Sequence, residues 1–490
     1  TILHTWPILH VHKFRHSLRC IHASVELQFC LMNSYQRTLD YLYGFINFEH
    51  KVLDRYQASK IDVERPRRLM AQLGSPQNCF PSIHIAGTKG KGSVAAMCAA
   101  SLRSAGLRVG LYTSPHLREF RERIRVLTPD DPDGRISEES FVATVDRLRP
   151  YVDRSPGITW FEIVTAIAFL HFAESNLDVA VVEVGLGGRL DATNVLLPDV
   201  SVITSLSLDH TQLLGDTLAQ IAYEKGGIIK PGVPVVSASQ KPEALDRLVA
   251  ISAERNAPMV VIGRDWHYES VHEQSADHDR RRLIVLDTPD PAFIPPGTSF
   301  TVGLTGGHQV ENAAVALAAL GQVSHRFPSL DVAAMQSGLA TVRWDGRLQL
   351  LQQGPDRPTV LVDSAHNDDS AMRLVTALAE DFHYRRLILI FGAPGDKNVG
   401  GMLARLVPMA DKVIVTTANH PRSATPEQLA ETVLMYGREA IATHSVAEAL
   451  AVALDSAEPG DLILATGSII VVGDLLNHWD TLQSKHDTYG

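Results

Sequence analysis

A short loop rich in glycine and lysine carries the strongest chemical signal in the sequence. It runs Gly87-Thr88-Lys89-Gly90-Lys91-Gly92-Ser93, between an apolar run and a stretch of helix-forming residues. Glycines let backbone N–H groups turn toward phosphate oxygens, and the start of a helix favours a negatively charged ligand. Lys91 adds a positive charge, and Ser93 adds a hydroxyl suited to Mg²⁺. We therefore predict a phosphate-binding loop between a strand and a helix.

The loop differs from the general phosphate-binding pattern at two places. Ile85 stands where the first glycine would stand, and Gly92 follows the lysine where Ser or Thr is usual. A glycine-rich turn that only joins a strand to a helix would look similar. The positions of Lys91 and Ser93 at the start of the helix favour phosphate binding over that structural reading.

Three more polar clusters follow apolar runs, where ligands bind in open α/β sheets. The clusters are 113–117, 183–194 and 209–215. Ser114, Glu183 and His210 supply a hydroxyl, a carboxylate and an imidazole, which could complete Mg²⁺ coordination beside phosphate oxygens. Taken singly, each could instead be a turn hydroxyl, a loop cap or a buried imidazole. Their joint placement after successive strands favours a metal and nucleotide site.

Short β-branched runs alternate with longer amphipathic segments from Ser34 onward, which predicts a mainly parallel sheet with helices on its faces. A second alternating set begins after Arg343, with the junction at 344–347. The fold class we predict is α/β, with an N-terminal P-loop ATPase-type parallel-sheet domain (34–343) and a smaller C-terminal Rossmann-like α/β domain (344–490). The segment 264–300, rich in Asp, His and Pro, is expected to be a surface excursion. The predicted strands are 81–86, 107–112, 179–184, 200–204, 233–237, 259–262, 360–363, 386–391, 412–416 and 461–465.

Composition narrows the function classes. Apolar residues make up 45% and charged residues 20% of 490 residues, as in ordinary globular proteins. The net charge of −10 argues against a general nucleic-acid binder. Four widely spaced cysteines indicate neither a disulfide framework nor a zinc site, and no apolar run is long enough to span a membrane. These features predict a soluble, cytoplasmic protein without a nucleic-acid or membrane partner.

Residues 1–33 differ in composition from the rest of the chain. They contain five histidines, and their apolar stretches are broken by His and Arg, which argues against a secretory signal. We expect a disordered extension outside the mature domain. A transit segment and a metal-binding tail are the alternatives.

Together the motifs resemble the dihydrofolate synthase/folylpolyglutamate synthase family, a branch of the Mur ligases. The resemblance covers residues 34–490 and rests on the glycine-rich loop and on the three polar clusters. Further segments that resemble the family are Tyr41–Phe45, Thr159–Glu162, His308–Ala313, Asp363–Asn367 and Thr466–Ser468.

The resemblance implies an ATP-dependent ligase that joins L-glutamate to a pterin substrate. ATP would phosphorylate a carboxylate, and the glutamate amine would attack the acyl phosphate, giving an amide, ADP and phosphate. The implied nucleotide-binding residues are Gly87, Thr88, Lys89, Gly90, Lys91, Gly92, Ser93, Asn312, Arg347 and Asp363. The implied metal ligands are Ser93, Ser114, Glu183 and His210. The implied substrate-binding residues are Ser114, His116, Phe161, Leu190, Asp191, Ala192, His366 and Ser468. The implied catalytic residues are Lys91, Lys225, His210 and Arg347.

Lys225 stands at the position that the family carbamylates, although it could also be an ordinary lysine on a helix surface. ATP and Mg²⁺ are the implied cofactors, with a monovalent cation as a further candidate. The implied partners are small molecules only, namely the pterin or folate, L-glutamate and ATP, and the family resemblance suggests a monomer.

Several readings stay open from the sequence. Dihydropteroate and reduced folates are both compatible acceptors, because the pterin-side motifs serve both activities. The alternatives in function are a peptidoglycan-type Mur ligase, a P-loop small-molecule kinase, and a nucleotide-binding module without catalysis. The chain also departs from the family pattern at Asp345, Ser364, Asp368 and Asn398, which bears on the glutamate side of the site.

Overall fold

A computed structural model describes residues 34–47, 64–273, 280–395, 397–418 and 420–489. The predicted extension, 1–33, lies outside the described residues. The strands are β1 (Ser82–Ala86), β2 (Val109–Tyr112), β3 (Ile124–Leu127), β4 (Val179–Glu183), β5 (Val200–Ile203), β6 (Val235–Ser237), β7 (Met259–Val261), β8 (His267–Glu273), β9 (Arg280–Asp287), β10 (Ser299–Val302), β11 (Gln349–Gln352), β12 (Thr359–Val362), β13 (Leu387–Phe391), β14 (Lys412–Val415), β15 (Ala440–Ala442) and β16 (Leu462–Thr466). The helices are α1 (34–43), α2 (Glu64–Gln72), α3 (Lys91–Ser104), α4 (Glu138–Val152), α5 (Trp160–Glu174), α6 (Thr211–Leu214), α7 (Leu218–Gly226), α8 (Pro242–Glu254), α9 (Gly307–Val323), α10 (Val332–Thr341), α11 (Asp368–Asp381), α12 (Val399–Leu406), α13 (Pro426–Leu434), α14 (Val446–Ser456) and α15 (Ile469–Tyr489).

The chain divides into two compact units. The smaller unit takes the described residues up to Cys79 together with Ile136–Asn176, and the larger unit takes Phe80–Arg135 and Leu177–Gly490. The predicted boundary between residues 343 and 344 falls inside the larger unit and stays a prediction. No helix in the described part of the chain is long and apolar enough to cross a membrane.

The smaller unit is helical, with α1, α2, α4 and α5. Several of its large aromatic side chains are buried, including Phe141, Trp160 and Phe169. Helix α5 begins at a capping box, in which Thr159 Oγ1 accepts from Glu162 N and the Glu162 carboxylate accepts from Thr159 N. The Glu162 carboxylate also pairs with Arg65 Nε at 2.9 Å, which links α5 to α2.

The larger unit contains a seven-stranded sheet in the order β3-β2-β4-β1-β5-β6-β7. Every pair is parallel except β2 with β3. β1, β2, β4 and β5 are buried throughout, which explains why they read as continuous apolar runs rather than as alternating ones. The predicted parallel-sheet architecture is confirmed.

Helix α10 packs against α3 at a glycine. A Cβ added to Gly338 would lie 2.4 Å from the Cα of Ser101, so a larger residue would force the helices apart. This contact fixes the position of α3, the helix that follows the glycine-rich loop.

Segment 264–300 was expected to be a surface excursion, and this prediction is wrong. The segment forms most of a three-stranded antiparallel sheet, in the order β10-β9-β8. Leu283, Val285 and Phe300 are fully buried and belong to the same apolar core as α3 and α9. In β9 the charged residues 280–282 and Asp287 flank the continuous apolar run 283–286, so the sequence does not show the period-two pattern of a half-buried strand.

A six-stranded sheet has the order β11-β12-β16-β13-β14-β15, parallel except for β11. β13 and β16 are entirely buried at its centre. Helix α11 follows β12, and its first residue comes directly after the polar run 363–367. The predicted C-terminal α/β fold, with a mainly parallel sheet, is confirmed.

Candidate active site

The glycine-rich loop joins β1 to α3, as the sequence predicted. Gly87 and Gly90 have φ of 156° and 87°, in the region that favours glycine. A Cβ on Gly87 would lie 1.8 Å from Thr204 Oγ1, and a Cβ on Gly90 would lie 2.3 Å from Asn312 Oδ1. Both glycines are therefore required by backbone conformation and by close neighbours.

The middle of the loop is tied to the segment after β5. The amides of Thr88 and Lys89 both donate to Ser205 O, at 3.0 and 3.1 Å. Thr88 Oγ1 donates to Ser207 O at 3.2 Å. Because these two amides are used inside the protein, the amides at the start of α3 are the ones that can reach a ligand. Ser93 lies in this first turn and is buried.

Lys91, the first residue of α3, approaches Glu183, the last residue of β4. Their Nζ and Oε1 atoms are 3.8 Å apart, because β1 and β4 pair in parallel and end at the same edge. Ser114 N donates to Glu183 Oε2 at 3.1 Å. Burial raises the pKa of Glu183, and Lys91 opposes that shift. The structure thus brings together the predicted lysine, carboxylate and serine.

Lys225 lies in the last turn of α7 and is buried. Its Nζ donates to Gly87 O at 2.8 Å, directly beneath the glycine-rich loop. Burial, with Lys91 as the next cause, lowers the pKa of Lys225 to about 7. The alternative of an ordinary surface lysine is therefore wrong. At neutral pH a large part of this side chain is an uncharged, nucleophilic amine.

Asp209, which the sequence analysis did not single out, is the partner of Lys89. Lys89 Nζ and Asp209 Oδ2 are 3.2 Å apart, with both side chains mostly buried. Burial lowers the pKa of Lys89, and Asp209 offsets part of that shift. Lys89 is thus held by a carboxylate. The signal for Asp209 in the sequence was its place immediately before His210.

His210 precedes α6 in a left-handed conformation, with φ of 49°. Its Nε2 lies 3.9 Å from Asp209 Oδ1, and 47% of its side chain is exposed. Within the described ranges, no group of three or more His, Cys, Asp or Glu side chains is arranged to hold a metal. A magnesium ion here would therefore need hydroxyl and phosphate oxygens as well as carboxylate and imidazole ligands.

The loop that contains Ser114 is fixed by its own side chains. His116 Nδ1 accepts a hydrogen bond from Arg123 Nε at 2.7 Å, so this nitrogen carries no proton. Glu122 accepts bonds from the amides of Leu117, Arg118 and Glu119. His116 therefore has a defined ring orientation, with Nε2 as the remaining donor.

Asp191 acts inside the 183–194 cluster as an acceptor of backbone bonds. Its carboxylate accepts from the amides of Leu186 and Thr193 and from Thr193 Oγ1, at 3.0, 2.9 and 2.5 Å. Burial raises the pKa of Asp191. Ala192 is buried, whereas Leu190 is half-buried. These contacts shape the loop after β4, and direct substrate contact by these residues stays a prediction.

Arg347 and Asp363 lie together where the chain enters the six-stranded sheet. Asp363 accepts from the amides of Leu348 and Ala365, at 3.0 and 2.9 Å. Burial raises the pKa of Asp363, and the charge of Arg347 lowers it. Asn312, on α9, lies against the glycine-rich loop, and its Nδ2 donates to Gln309 Oε1 at 2.9 Å. All three predicted nucleotide residues thus belong to the larger unit.

His366 and Ser468 lie on neighbouring chain segments, since Gly467 N donates to Ala365 O at 3.1 Å. Burial lowers the pKa of His366 to about 3, so its imidazole is neutral. Ser468 is buried, and its Oγ accepts from Ile470 N at 3.1 Å, which caps the start of α15. Ser468 therefore has a structural role whether or not it also binds substrate.

Phe161 lies in the first turn of α5, in the smaller unit, and is half-buried. Its predicted role at the substrate stays a prediction. Sequence analysis missed the packing of Trp344 on the glycine-rich loop, where a Cβ on Gly92 would lie 3.1 Å from the indole Nε1. Two of the departures from the family pattern have local partners: Asn398 caps α12 and Asp368 pairs with Arg405.

Two family models match the chain. The Mur ligase middle domain matches residues 85–320, and the Mur ligase glutamate ligase domain matches residues 346–469. The first match contains the glycine-rich loop with Glu183, Lys225 and Asn312, and the second contains Arg347, Asp363 and His366. The fold and the site thus define an amide-bond-forming ligase of the Mur type.

Relatives narrow the assignment further. A dihydrofolate synthase/folylpolyglutamate synthase of Mycobacterium tuberculosis is 37% identical over 418 residues, which are 80% of this chain and 82% of the relative. A solved structure of the M. tuberculosis folylpolyglutamate synthase complexed with ADP and AMPPCP has a TM-score of 0.78 at 33% identity, covering 92% of this chain and 99% of that chain. A probable bifunctional folylpolyglutamate synthase/dihydropteroate synthase of Haloferax volcanii is 36% identical over 445 residues, or 87% of this chain, which spans about half (49%) of that relative. The chain belongs to the dihydrofolate synthase/folylpolyglutamate synthase family.

Proposed function

We propose that this protein uses ATP to join L-glutamate to dihydropteroate, to a reduced folate, or to both, through an acyl-phosphate intermediate. The observation that carries the proposal is the approach of Lys91 and Glu183, 3.8 Å apart, at the start of the helix that follows the glycine-rich loop. A cation and a carboxylate beside a helix start can hold a triphosphate and its metal ion. The names of the relatives support glutamate and a pterin or folate as the other substrates.

The nucleotide-binding role is assigned to 87–93, together with Asn312, Arg347 and Asp363. The amides at the start of α3 are proposed to bind the phosphates, and Asn312 lies against Gly90. Arg347 would place positive charge near the phosphoryl group in transfer, where charge spreads over its oxygens. This arrangement lowers the barrier by stabilising charge that develops only in the transition state.

The residues present fit a magnesium ion. Glu183 is a buried carboxylate whose pKa is raised by burial, and a nearby divalent cation would favour its charged form. Ser93, Ser114, Glu183 and His210 are the proposed ligands. Mg²⁺ takes oxygen ligands and shares them with substrate phosphates, so a protein contribution of few side chains is typical. The ion would neutralise charge between the phosphates.

Lys225 is proposed to be carbamylated. Its amine is partly uncharged at neutral pH because its pKa is about 7, and only the uncharged amine attacks CO₂. The attack forms an N–C bond and releases one proton, so the uncharged amine becomes an anion. Starting from the protonated lysine, two protons are released in all. That anion would lie beside Gly87 O and close to Lys91 and Lys89, which offset its charge.

His366 and Ser468 are proposed to hold the incoming glutamate. His366 Nδ1 donates to Ser364 O at 3.0 Å, so Nε2 of the neutral imidazole can accept a hydrogen bond from the ammonium group of glutamate. We further propose that His116, Phe161, Leu190, Asp191 and Ala192 bind the pterin side of the acceptor, and that the enzyme acts as a monomer in the cytoplasm.

The test uses purified protein with ATP, Mg²⁺ and L-glutamate, and with dihydropteroate or tetrahydrofolate offered separately. The masses of the products are then measured. One glutamate added to dihydropteroate supports the synthase step, and successive glutamates added to tetrahydrofolate support polyglutamylation. Phosphorylated acceptor without any glutamate adduct would indicate a kinase. ADP formation only with peptidoglycan precursors would indicate the other Mur activity.

A further inference from the structure

A cluster of charged side chains joins α11 to the three-stranded sheet, at some distance along the chain from every residue assigned above. Arg281, on β9, donates to Asp381 Oδ1 through Nε and Nη2, at 2.9 and 2.6 Å. Its Nη2 also donates to Glu380 Oε2 at 2.7 Å. His272 Nε2, on β8, lies 3.6 Å from Asp381 Oδ1.

The two carboxylates of this cluster stand at positions where negative charge destabilises the folded protein. Glu380 and Asp381 occupy the last turn of α11, where the helix dipole disfavours negative charge. The Asp381 side chain is 1% exposed, and its Oδ2 has no hydrogen-bond partner among the described residues. Apolar residues in place of both partners of a buried ion pair are often equally or more stable. Local stability therefore does not explain why a carboxylate stands there.

The opposite end of α11 reaches the candidate active site through long contacts. Asn367, which caps the helix, donates from Nδ2 to Asp209 Oδ2 at 3.5 Å. Arg373 Nη2 donates to Ser205 Oγ at 3.4 Å, and Ser205 O accepts the amides of the glycine-rich loop. The contacts at the site end are thus at the limit of hydrogen-bond length, whereas those at the far end are short.

A helix of 14 residues is about 20 Å long and nearly rigid. Arg373 and Glu380 are seven residues apart and therefore lie on the same face of it. Fixing one end of such a rod restricts where the other end can go. Arg281 also packs against the start of α9, where a Cβ on Gly307 would lie 3.3 Å from its Nη1.

We propose that Arg281 and Asp381 are positioning residues for the ligation reaction, which fix α11 so that His366 and Asn367 stay next to Lys89 and Asp209. This inference rests on the proposed function, because its kinetic consequence concerns the incoming glutamate. A small displacement of a reactant from its productive position lowers the rate strongly. Loss of the ion pair should therefore affect glutamate more than ATP.

The first experiment compares Arg281→Met with wild type by steady-state kinetics in each substrate. We expect the KM for glutamate to rise at least about fivefold, the lower end of ordinary coupling between sites, with an unchanged KM for ATP. The matched control is Arg282→Met, which removes the neighbouring exposed ion pair with Glu273 and should change neither constant. Equal changes in the KM for glutamate and the KM for ATP, or no change in either, would overturn the proposal.

A second variant separates positioning from stability. Arg281→Met leaves a buried carboxylate without its partner, so its thermal midpoint should fall. The double variant Arg281→Met/Asp381→Leu has no unpaired buried charge and should recover the midpoint while its KM for glutamate stays high. If the double variant recovers the thermal midpoint and also the wild-type KM for glutamate, the ion pair only stabilises the fold, and the proposal is wrong.

Hydrogen exchange gives a readout that does not need ligation. In Arg281→Met, amides 366–371 should exchange faster than in wild type, with amides 88–93 and the core of the seven-stranded sheet unchanged. Uniformly faster exchange would contradict a positioning role. If wild type forms no glutamate adduct but the local exchange differs as expected, the proposed function fails while the docking of α11 stands.

Discussion

Replacement of the buried Lys225 by Met should change the stability of the protein in a direction that depends on pH. The side chain is 5% exposed, and its one polar contact among those described is the bond to Gly87 O at 2.8 Å. Met has a similar length and no charge. The substitution therefore removes a buried ionisable group and leaves the volume of the site nearly unchanged.

The direction in which stability changes with pH follows from the pKa of this lysine in the folded protein and in the unfolded chain. In the folded protein burial lowers the pKa to about 7, and in the unfolded chain it is about 10.4. Between these values the unfolded chain binds the proton and the folded protein does not, so the wild type becomes more stable as pH rises. The slope is at most about 1.4 kcal/mol per pH unit. Below about pH 7 both states are charged, and the full penalty, on the order of 4 kcal/mol, is present.

The variant has no such slope. Near pH 6 it should be more stable than wild type, because it lacks the buried cation. Near pH 10 it should be less stable by about 1–3 kcal/mol, because Gly87 O has lost its donor. Urea unfolding without nucleotide, in bicarbonate-free buffers from about pH 6 to 10, measures the difference. The exposed Lys241→Met is the control and should stay within about 0.5 kcal/mol of wild type throughout. A difference for Lys225→Met that does not change with pH would refute the lowered pKa.

Three further results are expected. Lys91→Ala should abolish phosphate release and ligation, since the charge opposite Glu183 is lost; near-normal turnover would remove Lys91 from the mechanism. Gly90→Ala should weaken ADP binding in calorimetry, because φ of 87° and a contact of 2.3 Å with Asn312 Oδ1 both oppose a side chain; unchanged affinity would contradict the described loop geometry. Phe300→Ala should lower the free energy of unfolding by about 3–5 kcal/mol without changing the KM of any substrate, whereas a cost below about 1 kcal/mol would place the three-stranded sheet outside the core.

The central strands could be predicted because burial on both faces leaves a continuous apolar run. β4 and β13 are of this kind, and both were predicted. The two edge strands of the six-stranded sheet do not leave that pattern. β11 is half-buried at all four positions, and β15 has two exposed residues out of three. Such strands form because a neighbour offers free backbone groups, which a single sequence does not reveal.

The same distinction holds for the candidate site. The glycine-rich loop could be predicted because its glycines, lysine and serine are adjacent in sequence and their spacing reflects backbone geometry. The pairs Lys89–Asp209 and Arg281–Asp381 could not, because their members are 120 and 100 residues apart. Nothing in the local sequence of Asp381 indicates a partner on β9. Contacts of this kind depend on how whole elements pack together.

The charges of the site explain why an anionic ligand is needed there. Lys89, Lys91 and Lys225 lie close enough to affect one another, and burial together with Lys91 lowers the pKa of both of the other lysines. Glu183 and Asp209 are the carboxylates that pair with Lys91 and Lys89, so Lys225 lacks a carboxylate of its own among these pairs. Repulsion between like charges in a buried site is a cost that the folded protein bears before any substrate arrives. Binding of a triphosphate, or conversion of one cation into a carbamate, reverses that cost. Relief of the repulsion between the three lysines thus adds to the binding free energy of an anionic group such as a triphosphate.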